Sequence, residues 1–164
     1  DPFFANEAHA NLRFLHSPPQ QDMSENTFGA APHTDNSFMT ALARTDVPGL
    51  AVRLTSGEWF APPVIEGTFL INLGNIMRRW SNDRFLSTPH GVINDSGADR
   101  YSIAYFHSPN PASTIECLPT CVSDENPARY PPAVYRDLVL EFYRKNYFHQ
   151  RGHQSDAAKQ APAM

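Results

Sequence analysis

The sequence predicts an all-β core with flanking helices, on three observations. Short β-rich runs, Phe38 to Leu42, Leu50 to Leu54 and Thr68 to Leu73, are separated by turn chemistry such as Pro48-Gly49 and Ser56-Gly57. The run Arg100 to Phe106 alternates Tyr101, Ile103 and Tyr105 against Arg100, Ser102 and Ala104, which is the period of a strand. Fifteen prolines against eight glycines favour many loops and disfavour a helix bundle.

In chain order, residues 1 to 10 read as the end of a helix, Asn11 to His16 as a strand and Ser17 to Ala31 as a long loop. Strands are expected through most of residues 33 to 117, returning antiparallel between the turns. Within that stretch the pair Arg78-Arg79 suits a short helix, with one arginine pairing a neighbouring acid. A helix from about Pro132 to Phe148 follows, with Val134, Leu138 and Phe142 on an apolar stripe and Glu141 and Lys145 carrying charge. The expected organisation is one domain over residues 1–150 and a disordered tail over 151–164, Ala/Gln/Pro-rich from Gln154 onward and without periodicity. There are no internal repeats.

The chemistry centres on His33-Thr34-Asp35, then His90, then Arg100-Tyr101-Ser102. His33 and Asp35 are two apart, so in extended backbone they point to one face and can share a metal. His90 reaches that metal only if the intervening strands fold back. Two imidazoles and one carboxylate form the ligand set that holds non-haem Fe(II) on one face and leaves the other open. Arg100 adds a fixed two-pronged donor for a carboxylate, and Ser102 faces the same way. Each signal has a plainer reading. The His-x-Asp triplet alone suits a solvated strand end, His90 a core histidine satisfied by a carbonyl, and Arg100 a surface strand start paired with Asp99. Their joint order and spacing favour the metal site.

Other features exclude more than they assign. A net charge of -4, with no Lys/Arg cluster beyond Arg78-Arg79, offers no footprint for nucleic acid. No apolar run approaches the length of a membrane span. Cys117 and Cys121, spaced C-x3-C, lack two further zinc ligands nearby and read as free thiols. His149 and His153 sit four apart, but Gly152 and the polar residues after it suggest a fraying helix end rather than a metal site.

The residues resemble the isopenicillin N synthase-like branch of the Fe(II)/2-oxoglutarate-dependent oxygenases. The resemblance extends past the candidate ligands. Gly67 to Gly74, then Arg79-Trp80-Ser81-Asn82, then Phe85 to His90 look like that family's block leading to its second iron histidine. Leu12 to Pro19 looks like its strand ahead of the first. Three positions depart from the family pattern: Ser17 where Tyr is usual, Asn72-Leu73-Gly74-Asn75 where Asn-x-Gly-Asp is common, and Gly91 where Arg is common; none removes a ligand.

The resemblance implies a double-stranded β-helix, the cupin-like jelly roll, with His33, Asp35 and His90 as iron ligands and catalytic centre. It implies that Arg100 and Ser102 bind the distal carboxylate of 2-oxoglutarate, and that the cofactors are Fe(II), 2-oxoglutarate as co-substrate and dioxygen. The implied reaction is oxidation of a small organic molecule, by hydroxylation, desaturation or cyclisation, coupled to conversion of 2-oxoglutarate to succinate. Two alternatives stay open: an iron oxidase of the same fold that does not consume 2-oxoglutarate, and a non-catalytic metal-binding cupin-like module. Fe(II) chemistry suits a reducing compartment, so a cytoplasmic location is expected. Family members carry a further N-terminal segment of comparable length, and this chain opens on Asp1-Pro2-Phe3-Phe4. It is therefore expected to be the C-terminal part of a longer protein, with the preceding segment as a partner.

Overall fold

In the computed structural model, the residues described are 3–5, 7–19 and 28–145. Among these residues ten strands alternate with little helix: β1 (His9–Ser17), β2 (Ala30–His33), β3 (Met39–Arg44), β4 (Leu50–Arg53), β5 (Trp59–Phe60), β6 (Leu70–Leu73), β7 (His90–Val92), β8 (Arg100–Ser108), β9 (Thr114–Ile115) and β10 (Ala133–Val134). Helix α1 (Asn75–Trp80) follows β6, and residues 135–145 form a second helix, α2. One four-stranded sheet has the order β1-β8-β3-β6 and the other β2-β7-β4-β5, with β9 and β10 as a separate pair. All the pairings are antiparallel.

The alternation seen in the sequence of β8 decides how its sheet is used. Arg100, Ser102 and Ala104 are buried, while Tyr101, Ile103 and Tyr105 are exposed. Register carries the division to β1, where Ser17, Leu15 and Arg13 sit opposite Arg100, Ser102 and Ala104, and Phe14 and Leu12 lie opposite Ile103 and Tyr105. The outward face is thus strongly apolar yet open to solvent, with Phe14 74% and Ile71 53% exposed. The inward faces of the two sheets bound a cavity of about 150 Å³.

The buried apolar cluster is elsewhere. Ile76 and Trp80 of α1, Ile115 of β9 and Tyr135 of α2 form a buried cluster, joined by Phe3, Phe4, Phe38 and Leu138. The Trp80 ring meets Phe3 edge-on at 4.6 Å between centroids and Phe38 at 5.7 Å. This cluster ties α1, α2 and the segment ahead of β1 to the sheets, apart from the cavity between them.

Two boundaries differ from the sequence reading. The expected helix end over residues 1–10 is replaced, among its described residues, by a turn at 3–5 and then β1, because the β8 ladder extends as far as His9 opposite Ser108. The expected helix from Pro132 begins later. Pro131-Pro132 disfavours helical backbone at its first residue, and Ala133 and Val134 pair instead with Ile115 and Thr114 before α2 starts at residue 135. The expected tail over residues 151–164, together with His149 and His153, lies outside the described residues. Arg78 and Arg79 do occupy a short helix, and Arg78 pairs with Asp83 at 2.8 Å.

Candidate metal and co-substrate site

His33 ends β2 and His90 begins β7, and the two are directly opposite in the ladder. A register shift between Ala30 and His33 marks a local irregularity of the kind that re-aims side chains near functional sites. Their rings lie 4.4 Å apart. Asp35 follows just beyond the strand end and is almost wholly buried. Its Oδ1 is 3.7 Å from Nε2 of His33 and 3.7 Å from Nε2 of His90. The three ligand atoms lie within 4.8 Å of one another, and no other group of three or more His, Cys, Asp or Glu converges in this way among the described residues.

The surroundings orient each ligand atom. Nδ1 of His33 donates to the carbonyl of Ala31 at 2.8 Å, and Nδ1 of His90 donates to that of Thr88 at 3.1 Å. Each of these contacts uses Nδ1 as the donor and turns Nε2 inward, the orientation a metal-binding imidazole needs. The Asp35 Oδ2 accepts from the Thr40 hydroxyl at 2.6 Å and the Asn72 amide at 2.7 Å, which leaves Oδ1 for the centre. Thr40 and Asn72 face each other across β3 and β6. The backbone is pinned as well, since Asn75 N–H donates to the Asp35 carbonyl at 2.8 Å and Ile76 N–H to that of Ser37 at 3.2 Å. Gly74 permits this approach, because a Cβ there would fall 2.1 Å from the Ser37 carbonyl oxygen.

Two imidazole nitrogens and one carboxylate oxygen, all held from behind and facing one space, fit a divalent cation with positions left open. The three residues brought together are those the sequence singles out. Asn72 stands out in the sequence only within a family block, and Thr40 not at all. The available signal was a polar residue at an inward position of an otherwise apolar strand.

Arg100 and Ser102 line the cavity between the sheets, together with His33, Asp35 and His90. Arg100 is only 3% exposed, and its Nε has no hydrogen-bond partner. It forms no ion pair among the described residues, and Asp99, its adjacent acid, pairs instead with His16 at 2.7 Å. Burial, and after it the positive charge of Arg44, pull the Arg100 pKa below the ordinary arginine value. Arg44 is itself held by the carbonyls of Pro62 at 3.0 Å and Pro63 at 2.7 Å, so its charge is held in place near Arg100. A buried guanidinium without a carboxylate is costly unless a ligand supplies one. The dicarboxylate 2-oxoglutarate fits this need.

Cys117 and Cys121 are both free thiols, and the Cys117 sulfur faces the carbonyls of Arg79 and Tyr130 and the Asn82 amide oxygen. Among the described residues no helix is long and apolar enough to cross a membrane.

Comparison with known proteins agrees with this chemistry. Residues 7–109 match the family model of the 2OG-Fe(II) oxygenase superfamily. The chain is 36% identical over 157 residues to the 2-oxoglutarate-Fe(II) type oxidoreductase hxnY of Emericella nidulans, covering 94% of this chain and 45% of that protein. It is 37% identical to kihadalactone A synthase LFS of Citrus sinensis over 142 residues, 84% of this chain and 42% of the synthase. Among solved structures, a full-length Neurospora crassa protein crystallised in complex with α-ketoglutarate and thymine superposes with a TM-score of 0.83 at 30% identity, over 90% of this chain and 47% of the Neurospora chain. The chain thus spans less than half the length of these relatives. By motif, by geometry and by likeness along most of its length, this chain belongs to the 2OG-Fe(II) oxygenase superfamily.

Proposed function

We propose that the protein containing this chain is a non-haem Fe(II)/2-oxoglutarate-dependent dioxygenase that oxidises a small organic molecule. His33, Asp35 and His90 would hold Fe(II), and Arg100 with Ser102 would hold the far carboxylate of 2-oxoglutarate. The observation that carries the reading is Arg100, a buried cation without an acid partner in the cavity that His33, Asp35 and His90 also line. Bound together, Fe(II) and 2-oxoglutarate supply the activation of dioxygen. The chain's own residues do the positioning: Thr40 and Asn72 fix the carboxylate ligand, and the Ala31 and Thr88 carbonyls fix the imidazoles. Hydroxylation is the default outcome, with desaturation or cyclisation as variants of the same oxidation.

The finer architecture belongs to this reading too. The two antiparallel sheets facing across the cavity support a double-stranded β-helix of the cupin-like jelly-roll type, with residues 1–150 as its catalytic domain. The open apolar face carrying Phe14, Ile71 and Ile103 suits coverage by a further segment of a longer protein, since the relatives are about twice as long as this chain. A net charge of -4 favours a small molecule over nucleic acid as partner, and the need for Fe(II) favours the cytoplasm.

Anaerobic titration of 2-oxoglutarate into the Fe(II)-loaded protein tests the proposal. The expected result is a metal-to-ligand charge-transfer absorbance, followed on exposure to oxygen by slow succinate formation without added substrate. Iron binding without either response would favour an oxidase that does not consume 2-oxoglutarate, or a non-catalytic metal module.

A further inference from the structure

Two cavities open on the candidate metal site, and they share His33, Asp35 and Phe106. The first holds Arg100. The second, about 160 Å³, lies between the inward face of β1, the loop 34–37 and helix α2, and it holds another arginine, Arg13. Arg13 is opposite Ala104 in the β1–β8 ladder, and the small side chain there leaves room on the inward face. The guanidinium carbon of Arg13 sits 5.2 Å from the centroid of the Phe106 ring. That ring orients the guanidinium and takes none of its N–H donors. No acid pairs with Arg13 among the described residues. Among those residues the only carboxylate lining this cavity is Asp35, whose Oδ2 is taken by Thr40 and Asn72 and whose Oδ1 faces the imidazoles. Much of the remaining wall is apolar, with Phe106, Val139 and Phe142.

We infer that Arg13 determines specificity for the primary substrate, and that this substrate is an organic carboxylate with a ring-sized apolar body. The inference rests on the function proposed above and deepens it. The carboxylate takes the free N–H edge of Arg13, and the body lies against Phe106 and helix α2, within reach of the His33–Asp35 edge of the site. The division of labour follows from the two cavities. The deeper guanidinium, Arg100, receives the co-substrate common to the family, and the accessible one, Arg13, selects the molecule to be oxidised.

The test uses the full-length protein, anaerobic, loaded with Fe(II) and saturated with 2-oxoglutarate. Calorimetric titrations compare benzoate, phenylacetate and cyclohexanecarboxylate with their primary amides. The parent is expected to prefer the acids by roughly ten- to a hundredfold, the range of one charge-assisted hydrogen-bonded contact. Arg13→Gln should erase that preference, and Arg13→Lys, which keeps the charge but not the two-pronged donor, should retain part of it. Both variants should bind 2-oxoglutarate and melt as the parent does. Amides binding as well as acids to the parent, or an acid preference that survives in Arg13→Gln, would overturn the inference and leave the dioxygenase assignment standing. A parent that gives no charge-transfer absorbance with 2-oxoglutarate would overturn that assignment and the inference with it.

Discussion

Arg78 lies in α1 and Arg100 in β8, and their surroundings are opposite. Arg78 donates to Asp83 at 2.8 Å and to the Tyr130 hydroxyl at 3.0 Å. Asp83 also accepts from Tyr130 at 2.6 Å and from Arg129 at 3.2 Å. Beside it Asn82 ties the loop down, donating to the carbonyls of Cys121 and Pro127 at 3.2 Å each and accepting from Arg129 N–H at 2.9 Å. The hydrogen bond to Asp83 raises the Arg78 pKa despite some desolvation. Desolvation alone would raise the Asp83 carboxyl, but hydrogen bonds from Tyr130 and Arg78 hold it below the ordinary value. At Arg100 desolvation is unopposed and a second arginine makes it worse. A polar cluster whose charges are matched from within holds the fold, and a buried charge left unmatched marks a candidate ligand site.

Substitutions at four positions test that contrast. The strongest consequence belongs to His90→Ala, which should lower metal affinity by more than the roughly 10- to 100-fold that loss of a supporting partner costs, with the fold retained. Full metal occupancy in that variant, read by elemental analysis after anaerobic loading, would end the ligand assignment.

Arg100→Lys should weaken 2-oxoglutarate binding by about 2 to 3 kcal/mol, or roughly thirty- to a hundredfold, because an ammonium cannot reproduce two parallel hydrogen bonds. Iron affinity should be unchanged. Arg100→Met should remove 2-oxoglutarate binding and leave the ligand-free protein as stable as the parent or more so, since an unpaired buried charge disappears. A marked loss of melting temperature in Arg100→Met would instead make this arginine structural.

Asp83→Asn should do the reverse. Stability should fall by about 1 to 3 kcal/mol as Arg78 and Arg129 lose the negative charge they pair with and an amide donor replaces one of the two acceptor oxygens, and 2-oxoglutarate affinity should hold. Because the folded Asp83 pKa is depressed, its contribution is fully present above the unfolded value of about 3.9 and is lost as pH falls through the folded value. Melting curves of the parent should therefore decline at acid pH, and those of Asp83→Asn should be flatter there. Equal acid sensitivity in both proteins would remove Asp83 from the account.

The mildest change is expected at Ser102→Ala. Removing one neutral donor should cost on the order of 1 kcal/mol of 2-oxoglutarate affinity, with no change in iron binding. A loss as large as that of Arg100→Lys would mean that Ser102, rather than the guanidinium, dominates the carboxylate contact.

Residue order alone was enough to say which side chains could meet and on which side of a strand they would lie. The two-residue spacing of His33 and Asp35, and of Arg100 and Ser102, suffices for that, because alternation is a property of extended backbone. The rest depends on which strands become neighbours, and the folded chain settles it. Nothing local puts His90 opposite His33, or sets Thr40 and Asn72 together behind Asp35. Nor does spacing show that Asp99 turns to His16 and leaves Arg100 bare, that Arg44 crowds it from β3, or that Arg13 opens into a second cavity beside the same carboxylate. These are contacts between residues far apart in the chain, brought together by ladder register and by the packing of α1 and α2 around Trp80 and Tyr135. Periodicity constrains a residue's direction, and only the completed sheets supply what it faces.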